Sequence, residues 1–115
     1  NTFKNFGVDK AKQFTAVNYD GYVIGDAILF HLEENVISLV GRPSAHNWVQ
    51  YHAETGDYDV TLHRDERTAV NKEGRKLYRF QVQGPTAMQV LEKANGGPLP
   101  EIKFFNMGRI TIGGH

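Results

Sequence analysis

The sequence predicts an α+β fold, with a mostly antiparallel sheet and two helices packed on it. Two apolar stretches separated by three polar residues are typical of a β-hairpin. Two later segments alternate apolar and polar residues, as half-buried strands do, and two others carry apolar residues at helical spacing. We therefore expect the 115 residues to form a single domain, with the order strand, strand, helix, strand, strand, helix, strand.

The central strand follows the turn residues 18–21 and extends to about Leu32. It contains the most apolar stretch of the sequence, Gly21–Phe30. Both of its faces carry apolar side chains, so we expect burial on both sides. Residues 33–35 connect it to the second strand, Val36–Val40, and the two should form a hairpin. Residues 1–16 show no clear period and are expected to form an irregular or short helical lead-in.

The first helix is predicted after the Gly-Arg-Pro break at 41–43, with Ser44 as its N-cap. Helical spacing relates Ala45, Trp48, Val49 and His52. The helix should end near Gly56, and we expect Trp48 and the phenylalanines to lie in the core.

The remaining elements are predicted from alternation, turn residues and helix signals. They are the strand 58–63, a charged loop at 64–76, the strand 77–83, a helix from Gly84 to about Asn95 and an extended region at 102–112. Pro85 suits the first turn of this helix, and Gly96 suits the residue after its end.

The composition excludes several classes of function. The 13 basic and 13 acidic residues balance, and no run is long enough to span a bilayer, so neither a nucleic-acid nor a membrane partner is expected. The absence of cysteine excludes disulfides and thiolate metal sites, and it favours a cytoplasmic protein. Because the chain lacks an initial methionine and ends after the strand-like residues 110–114, we expect it to be a piece of a longer protein.

Asp26 is the first candidate functional residue. In the expected strand it shares a face with bulky apolar side chains, where an unpaired carboxylate is costly. Gly25 before it has no side chain, so a backbone or a ligand can come close. The residues alone support equally a functional carboxylate and one that bonds nearby backbone N–H groups at a bend.

Two further polar residues lie where predicted strands end. Arg42 follows the second strand, and its guanidinium suits a ligand carboxylate, although pairing with an acidic side chain is the commoner role of a lone arginine. Gln83 precedes the second helix, where its amide suits either a heterocycle or the free N–H groups of the helix start. The five histidines show no metal-ligand spacing, so no metal site is expected.

Two motifs point to a known family. Residues 83–87 read Gln-Gly-Pro-Thr-Ala, and residues 21–26 read Gly-Tyr-Val-Ile-Gly-Asp. They resemble the Gln-Gly-Pro-x-Ala and Gly-Gly-hydrophobic-hydrophobic-Asp-Asp motifs of the aminomethyltransferase folate-binding superfamily, whose founding member is the glycine cleavage system T-protein. The family's second aspartate, the one assigned to catalysis, falls on Asp26. Tyr22 and Gly25 replace the family's second glycine and first aspartate.

Other stretches are similar to the tetrahydrofolate-dependent aryl O-demethylases, which act on vanillate, syringate or 3-O-methylgallate. They are Val-Gly-Arg at 40–42 (where the T-protein pattern has an asparagine), Asp-Glu-Arg-Thr-Ala at 65–69, residues 78–85, and Phe-Phe-Asn-Met-Gly at 104–108. The resemblance covers almost the whole chain. It implies that the full enzyme continues beyond both ends, with the family's tyrosine general acid and later folate contacts elsewhere.

The resemblance implies a methyltransferase that uses tetrahydrofolate and takes a methyl group from a methoxylated aromatic acid to N5 of the folate. By the same resemblance, Asp26 is the catalytic residue in a shared pterin and substrate cavity, and Gln83 contacts the pterin. Arg42 and Val40 would line the pocket of the aromatic acid. The implied partners are these two small molecules and the remaining domains of the parent protein.

Two alternatives are retained: an aminomethyltransferase of the glycine cleavage type, and a folate-binding module without catalysis. Gly25 and Arg42 argue against the first, and the retained Asp26 argues against the second. We expect the 115 residues alone to be inactive and to bind folate weakly or not at all, because a cavity between domains loses walls when one domain is removed.

Overall fold

A computed structural model of the chain describes residues 2–67 and 69–115, which form two compact units. The first unit extends to Asp59 and includes Pro100–Arg109, and the second comprises Val60–Leu99 and Ile110–His115. The elements in chain order are β1 (Ala11–Val17), β2 (Val23–Glu33), β3 (Val36–Gly41), α1 (Pro43–Thr55) and α2 (Ala87–Asn95). An antiparallel sheet with two helices confirms the predicted α+β class.

The sheet has the order β1-β2-β3, and both pairs of strands are antiparallel. The predicted hairpin of β2 and β3 is therefore confirmed. The expectation of an irregular lead-in is confirmed for residues 2–10, which form no helix or regular strand. It is wrong for residues 11–16, because β1 pairs with β2 from Ala11 opposite Phe30 to Val17 opposite Val23. Its sequence, Ala-Lys-Gln-Phe-Thr-Ala-Val, contains three strand formers but no regular alternation of apolar and polar residues, so pairing with the neighbouring strand decides its conformation.

A short segment of the chain also lies beside the outer edge of β1. The Ala11 amide donates to the Phe105 carbonyl oxygen at 2.9 Å, and the Met107 amide donates to the Asp9 carbonyl oxygen at 2.8 Å. Lys10 and Asn106 form an isolated antiparallel bridge. This part of the extended region predicted at 102–112 makes one bridge and no regular strand.

Helix α1 follows β3 after the single residue Arg42. Arg42 is the N-cap, with an extended backbone (φ −86°, ψ 157°) and no capping side-chain hydrogen bond, so the prediction that Ser44 caps the helix is wrong. Pro43 fits the first turn because its missing N–H would have no helical partner there. The helix ends where the Gly56 amide donates to the His52 carbonyl oxygen at 2.9 Å, as predicted.

The buried apolar residues among those described are three alanines. Ala16, Ala27 and Ala45 are 2%, 4% and 0% exposed, and no large side chain is fully buried. Ala27 lies on the sheet and Ala45 on the first turn of α1. The prediction of an aromatic core is wrong, since Trp48 is half-buried and Phe104 is 89% exposed.

In the second unit, α2 begins at Ala87 after Thr86 as N-cap, three residues later than predicted. It ends as predicted at Gly96, whose left-handed backbone (φ 78°) directs its N–H to the carbonyl oxygens of Glu92 and Lys93.

No strand forms at 58–63 or 77–83 in the described part of the chain, contrary to prediction. The alternating apolar side chains in these segments are exposed: Tyr58 65%, Val60 57%, Tyr78 69% and Phe80 86%. A strand needs a neighbour that takes its backbone hydrogen bonds, and alternation alone does not supply one.

The charged loop predicted at 64–76 is closed by one carboxylate. Asp65 accepts hydrogen bonds from the Lys76 amide at 3.1 Å, the Leu77 amide at 2.8 Å and the Asn71 side-chain amide at 3.2 Å. These backbone donors, Lys76 first and then Leu77, lower the pKa of Asp65 below its ordinary value. A nearby ion pair joins Arg64 to Glu66 at 2.7 Å.

No helix among the described residues is long and apolar enough to cross a membrane.

Candidate functional site

Asp26 lies in the middle of β2, opposite Thr15 of β1. Its neighbours Gly25 and Ala27 face α1, because a side chain at Gly25 would contact Ser44 and because Ala27 is buried. Side chains alternate along a strand, so Asp26 lies on the opposite face, where it is exposed. Its expected burial is therefore wrong.

The carboxylate of Asp26 has no hydrogen bond or ion pair to any other residue within 2–67 and 69–115. The interpretation in which it bonds the backbone at a bend therefore finds no support. An exposed carboxylate without a partner is free to accept hydrogen bonds from a ligand.

Val40 and Arg42 lie at the end of β3 that is close to Asp26. Val40 is half-buried and pairs with Ile28, which shares a sheet face with Asp26 by alternation. The last residue pair of this ladder joins Ala27 to Gly41, so Asp26 and Arg42 are the residues immediately beyond it on the two strands. The register thus brings the backbones of three predicted site residues together near the end of β3.

The Arg42 guanidinium is exposed and forms no ion pair within the described ranges. It stands at the N-cap of α1, and the first turn of the helix contains no acidic residue. No neighbouring carboxylate of that turn therefore neutralises it. The positive end of the helix dipole adds to the attraction for an anion. The alternative in which Arg42 pairs with an acidic side chain finds no support.

Gln83 belongs to the second unit, where it is exposed. The Gln81 side-chain amide donates to the Gln83 oxygen at 2.6 Å. The Gln83 NH₂ group makes no hydrogen bond among the described residues. The Gln83 side chain also does not cap α2, whose N-cap is Thr86. The amide donors of Gln83 are therefore available to a ligand.

An open apolar groove of about 420 Å³ lies along α1, and the sequence did not single it out as a site. Its lining residues are Ile24, Ser44, Asn47, Trp48 and Tyr51. The last four recur at the i, i+3, i+4, i+7 spacing of one helix face. Of these four, the sequence predicts Ser44 as the N-cap and Trp48 as a core residue, and it assigns no role to Asn47 and Tyr51. The Trp48 and Tyr51 rings contact the His52 ring edge-on, at centroid distances of 4.5 and 5.3 Å.

No cluster of three or more potential metal ligands occurs within residues 2–67 and 69–115. His31 is half-buried, and its ring nitrogens lie 3.1 Å from the Phe6 carbonyl oxygen and 3.3 Å from the Glu34 carbonyl oxygen. These contacts join the start of the chain to the hairpin turn, which is a structural role.

Comparison with known proteins gives two informative relatives. The chain is 56% identical over 115 residues, 99% of its length, to syringate O-demethylase of Sphingobium sp. (strain NBRC 103272 / SYK-6). The resemblance to the demethylase branch is confirmed. The chain is also 31% identical over 99 residues, 83% of its length, to an aminomethyltransferase of Clostridium botulinum (strain Okra / Type B1), which confirms the wider superfamily.

The chain spans about a quarter of each of these demethylase and aminomethyltransferase relatives, 25% and 24% of their lengths. No family model matches the chain.

Proposed function

We propose that this chain is one part of a longer tetrahydrofolate-dependent methyltransferase that demethylates a methoxylated aromatic acid. The observation that carries the proposal is the 56% identity to syringate O-demethylase along nearly the whole chain. The proposal includes a cytoplasmic location, which the absence of cysteine supports. The other domains of the parent protein would complete the site, and the chain alone would be inactive.

Arg42 is the proposed binding residue for the carboxylate of the aromatic acid. A guanidinium donates two parallel hydrogen bonds to a carboxylate, which fixes orientation as well as affinity. Its exposure and its lack of an ion pair within the described ranges support this role. Val40, two residues earlier on β3, would supply an apolar contact for the aromatic ring.

Asp26 is the proposed catalytic residue, and Gln83 is the proposed pterin contact. A pterin ring presents both donors and acceptors, which fit an unpartnered carboxylate and an unpartnered amide NH₂. Bound there, tetrahydrofolate would supply the N5 nitrogen that accepts the methyl group, and the ether oxygen that loses the methyl would take up the N5 proton to become a phenol. Asp26 would orient the reactants, and such alignment contributes strongly to the rate of a bimolecular reaction.

Aminomethyl transfer is the second candidate, because the chain is also related to an aminomethyltransferase. The 31% identity of that relative is well below the 56% of the demethylase, so it is the weaker candidate.

The test is an assay of the full-length parent protein with tetrahydrofolate and either syringate or vanillate. We expect 5-methyltetrahydrofolate and the matching phenol to accumulate in equal amounts. Asp26→Asn should abolish turnover while the protein still binds tetrahydrofolate, and Asp59→Asn, an exposed carboxylate outside the proposed site, serves as the control. Binding of tetrahydrofolate without methyl transfer to the wild-type protein would contradict the demethylase proposal and favour the aminomethyltransferase or the non-catalytic module.

A further inference from the structure

Gly25 lies where the first turn of α1 meets β2. A Cβ atom at Gly25 would lie 2.6 Å from the Ser44 Oγ, 3.1 Å from the Ala45 backbone nitrogen and 3.4 Å from the Ala45 Cβ. The Ser44 hydroxyl can rotate away, but the Ala45 nitrogen belongs to the backbone and is closer than an ordinary van der Waals contact. Even an alanine would therefore push the helix and the strand slightly apart. The absence of a side chain at Gly25 permits α1 to lie this close to β2.

Gly41 permits a second close approach, between the end of β3 and β2. A Cβ atom there would lie 2.6 Å from the Ala27 Cβ, 2.8 Å from the Asp26 carbonyl oxygen and 2.9 Å from the Ala27 Cα. Two of these three atoms belong to backbone and cannot rotate away. A side chain at Gly41 would therefore displace the strand end itself.

Both positions require glycine because neighbouring atoms leave no room for a Cβ atom, and not because of the backbone conformation. Neither Gly25 nor Gly41 has a positive φ, unlike Gly96 and Gly84. Gly7 also lacks a positive φ, but it has no atom within 4 Å of an added Cβ. Gly7 therefore provides a matched control position.

Each of these two glycines directly precedes one of the two charged residues of the proposed site. Gly25 precedes Asp26, and Gly41 precedes Arg42. We propose that Gly25 and Gly41 are positioning residues, which set the separation of the Asp26 carboxylate and the Arg42 guanidinium and so tune the site for its aromatic acid. This inference rests on the proposed function of Arg42.

The expected size of the effect follows from the distances. Relief of a 2.6 Å contact requires a shift on the order of 1 Å, which is enough to break a hydrogen bond between the Arg42 guanidinium and the ligand carboxylate. Loss of such a hydrogen bond weakens binding about 10- to 100-fold. Two of the three Gly41 contacts are with backbone and the third is with a Cβ atom that cannot rotate away, whereas the nearest contact of Gly25 is with a hydroxyl that can rotate. The effect of Gly41→Ala should therefore exceed that of Gly25→Ala.

The experiment measures syringate binding to the full-length parent protein by calorimetry, for wild type, Gly25→Ala, Gly41→Ala and Gly7→Ala. We expect the dissociation constant to rise about 10-fold for Gly25→Ala and about 100-fold for Gly41→Ala, and to stay within 2-fold for Gly7→Ala. The same measurement with 2,6-dimethoxyphenol, which lacks the carboxylate, should show changes below 3-fold. A loss of folded protein would reduce the number of sites and would leave the dissociation constant unchanged.

A rescue experiment separates the two glycines. Ser44→Ala in the Gly25→Ala background removes the atom at 2.6 Å but leaves the Ala45 nitrogen at 3.1 Å, so we expect partial recovery of syringate affinity. Ala27→Gly in the Gly41→Ala background leaves the backbone contacts at 2.8 and 2.9 Å, so no recovery is expected.

Two outcomes overturn the inference: equal syringate affinities for all the variants, or equal losses with syringate and 2,6-dimethoxyphenol. These results leave the demethylase proposal intact if the wild-type protein forms 5-methyltetrahydrofolate. Conversely, a wild-type protein that binds syringate without methyl transfer contradicts the proposed reaction, and the binding comparison still decides the positioning roles.

Discussion

At the scale of single residues, the proposed site includes two charged groups that lack partners within the described part of the chain. The Asp26 carboxylate and the Arg42 guanidinium are exposed, and the strand register brings their backbones together at the last pair of the β2–β3 ladder. A hydrogen bond to a charged group contributes about 1.5–3 kcal/mol to the free energy of folding, and it can contribute similarly to the binding of a ligand. Such groups without partners are therefore suited to ligand binding.

Replacement of Arg42 tests its role in substrate affinity. Arg42→Gln in the parent protein should weaken the binding of syringate about 10- to 100-fold, because a charge-assisted hydrogen bond is lost. Arg42→Lys should recover only part of this affinity, because an ammonium cannot form the planar pair of hydrogen bonds. Calorimetry measures both, with the exposed Arg109→Gln as the control. Equal affinities for Arg42→Gln and Arg109→Gln would refute the proposed role.

At the scale of elements, the helix ends and the loop are stabilised locally. Gly96 ends α2 with a φ of 78°, which costs an L-residue about 1–2 kcal/mol. Gly97 has no positive φ and no neighbour within 4 Å of an added Cβ. An added methyl group should therefore destabilise the fold at Gly96 and have little effect at Gly97.

The Gly96→Ala variant should lower the free energy of unfolding of the parent protein by about 1 kcal/mol, because alanine is strained in the left-handed region. The matched Gly97→Ala variant should change it by less than about 0.5 kcal/mol. Urea unfolding followed by circular dichroism measures both. A similar change for the two variants would show that the left-handed cap contributes nothing.

The loop closed by Asp65 gives a prediction of pH dependence. The backbone N–H groups of Lys76 and Leu77 hold the pKa of Asp65 below its ordinary value in the folded state. A group with a lowered folded-state pKa stabilises the fold above its unfolded pKa, and this contribution disappears as pH falls through the folded value. The loop should therefore loosen as the pH falls below about 3.9.

Hydrogen exchange at the Lys76 and Leu77 amides measures this loosening. Asp65→Asn should raise their exchange rates already at pH 7, because an amide presents one acceptor oxygen where the carboxylate presents two. It should also remove the acid dependence of that exchange. The control Asp59→Asn should leave both amides protected, and unchanged protection in Asp65→Asn would contradict the role of this carboxylate.

At the scale of the whole molecule, the described residues leave much apolar surface uncovered. Ala16, Ala27 and Ala45 are the buried apolar residues, whereas Phe80 and Phe104 are 86% and 89% exposed. Exposed side chains of this size agree with the proposal that the chain is part of a longer protein, in which further protein would cover them. Since the chain spans 25% of the syringate O-demethylase, the remaining part of a protein of that length would supply the cover.

The isolated 115-residue chain should therefore differ from its parent in two measurable ways. It should bind a hydrophobic fluorescent dye strongly, because its aromatic side chains are exposed. It should also bind tetrahydrofolate at least 100-fold more weakly than the parent, because the cavity walls from other domains are missing. Fluorescence titration of both proteins measures the difference, and equal folate affinities would show that the chain carries a complete folate site.

The signals for several elements were local, and these elements were predicted. The β2–β3 hairpin follows from two apolar stretches and a short polar turn, and both helix C-termini follow from the glycines Gly56 and Gly96. The strand β1 was missed because its conformation depends on pairing with β2. The strands predicted at 58–63 and 77–83 do not form in the described chain, because alternation indicates a need for a partner and does not provide one.

The sequence by itself determined the fold class, the family resemblance and the identity of the candidate residues, since each is written in residue type and spacing. Only the tertiary structure decided that Asp26 is exposed and that its backbone adjoins that of Arg42. Exposure depends on which face of the sheet α1 covers, and proximity depends on strand register. Both arise from contacts between residues far apart in the chain, such as Gly25 with Ser44, which no local pattern encodes.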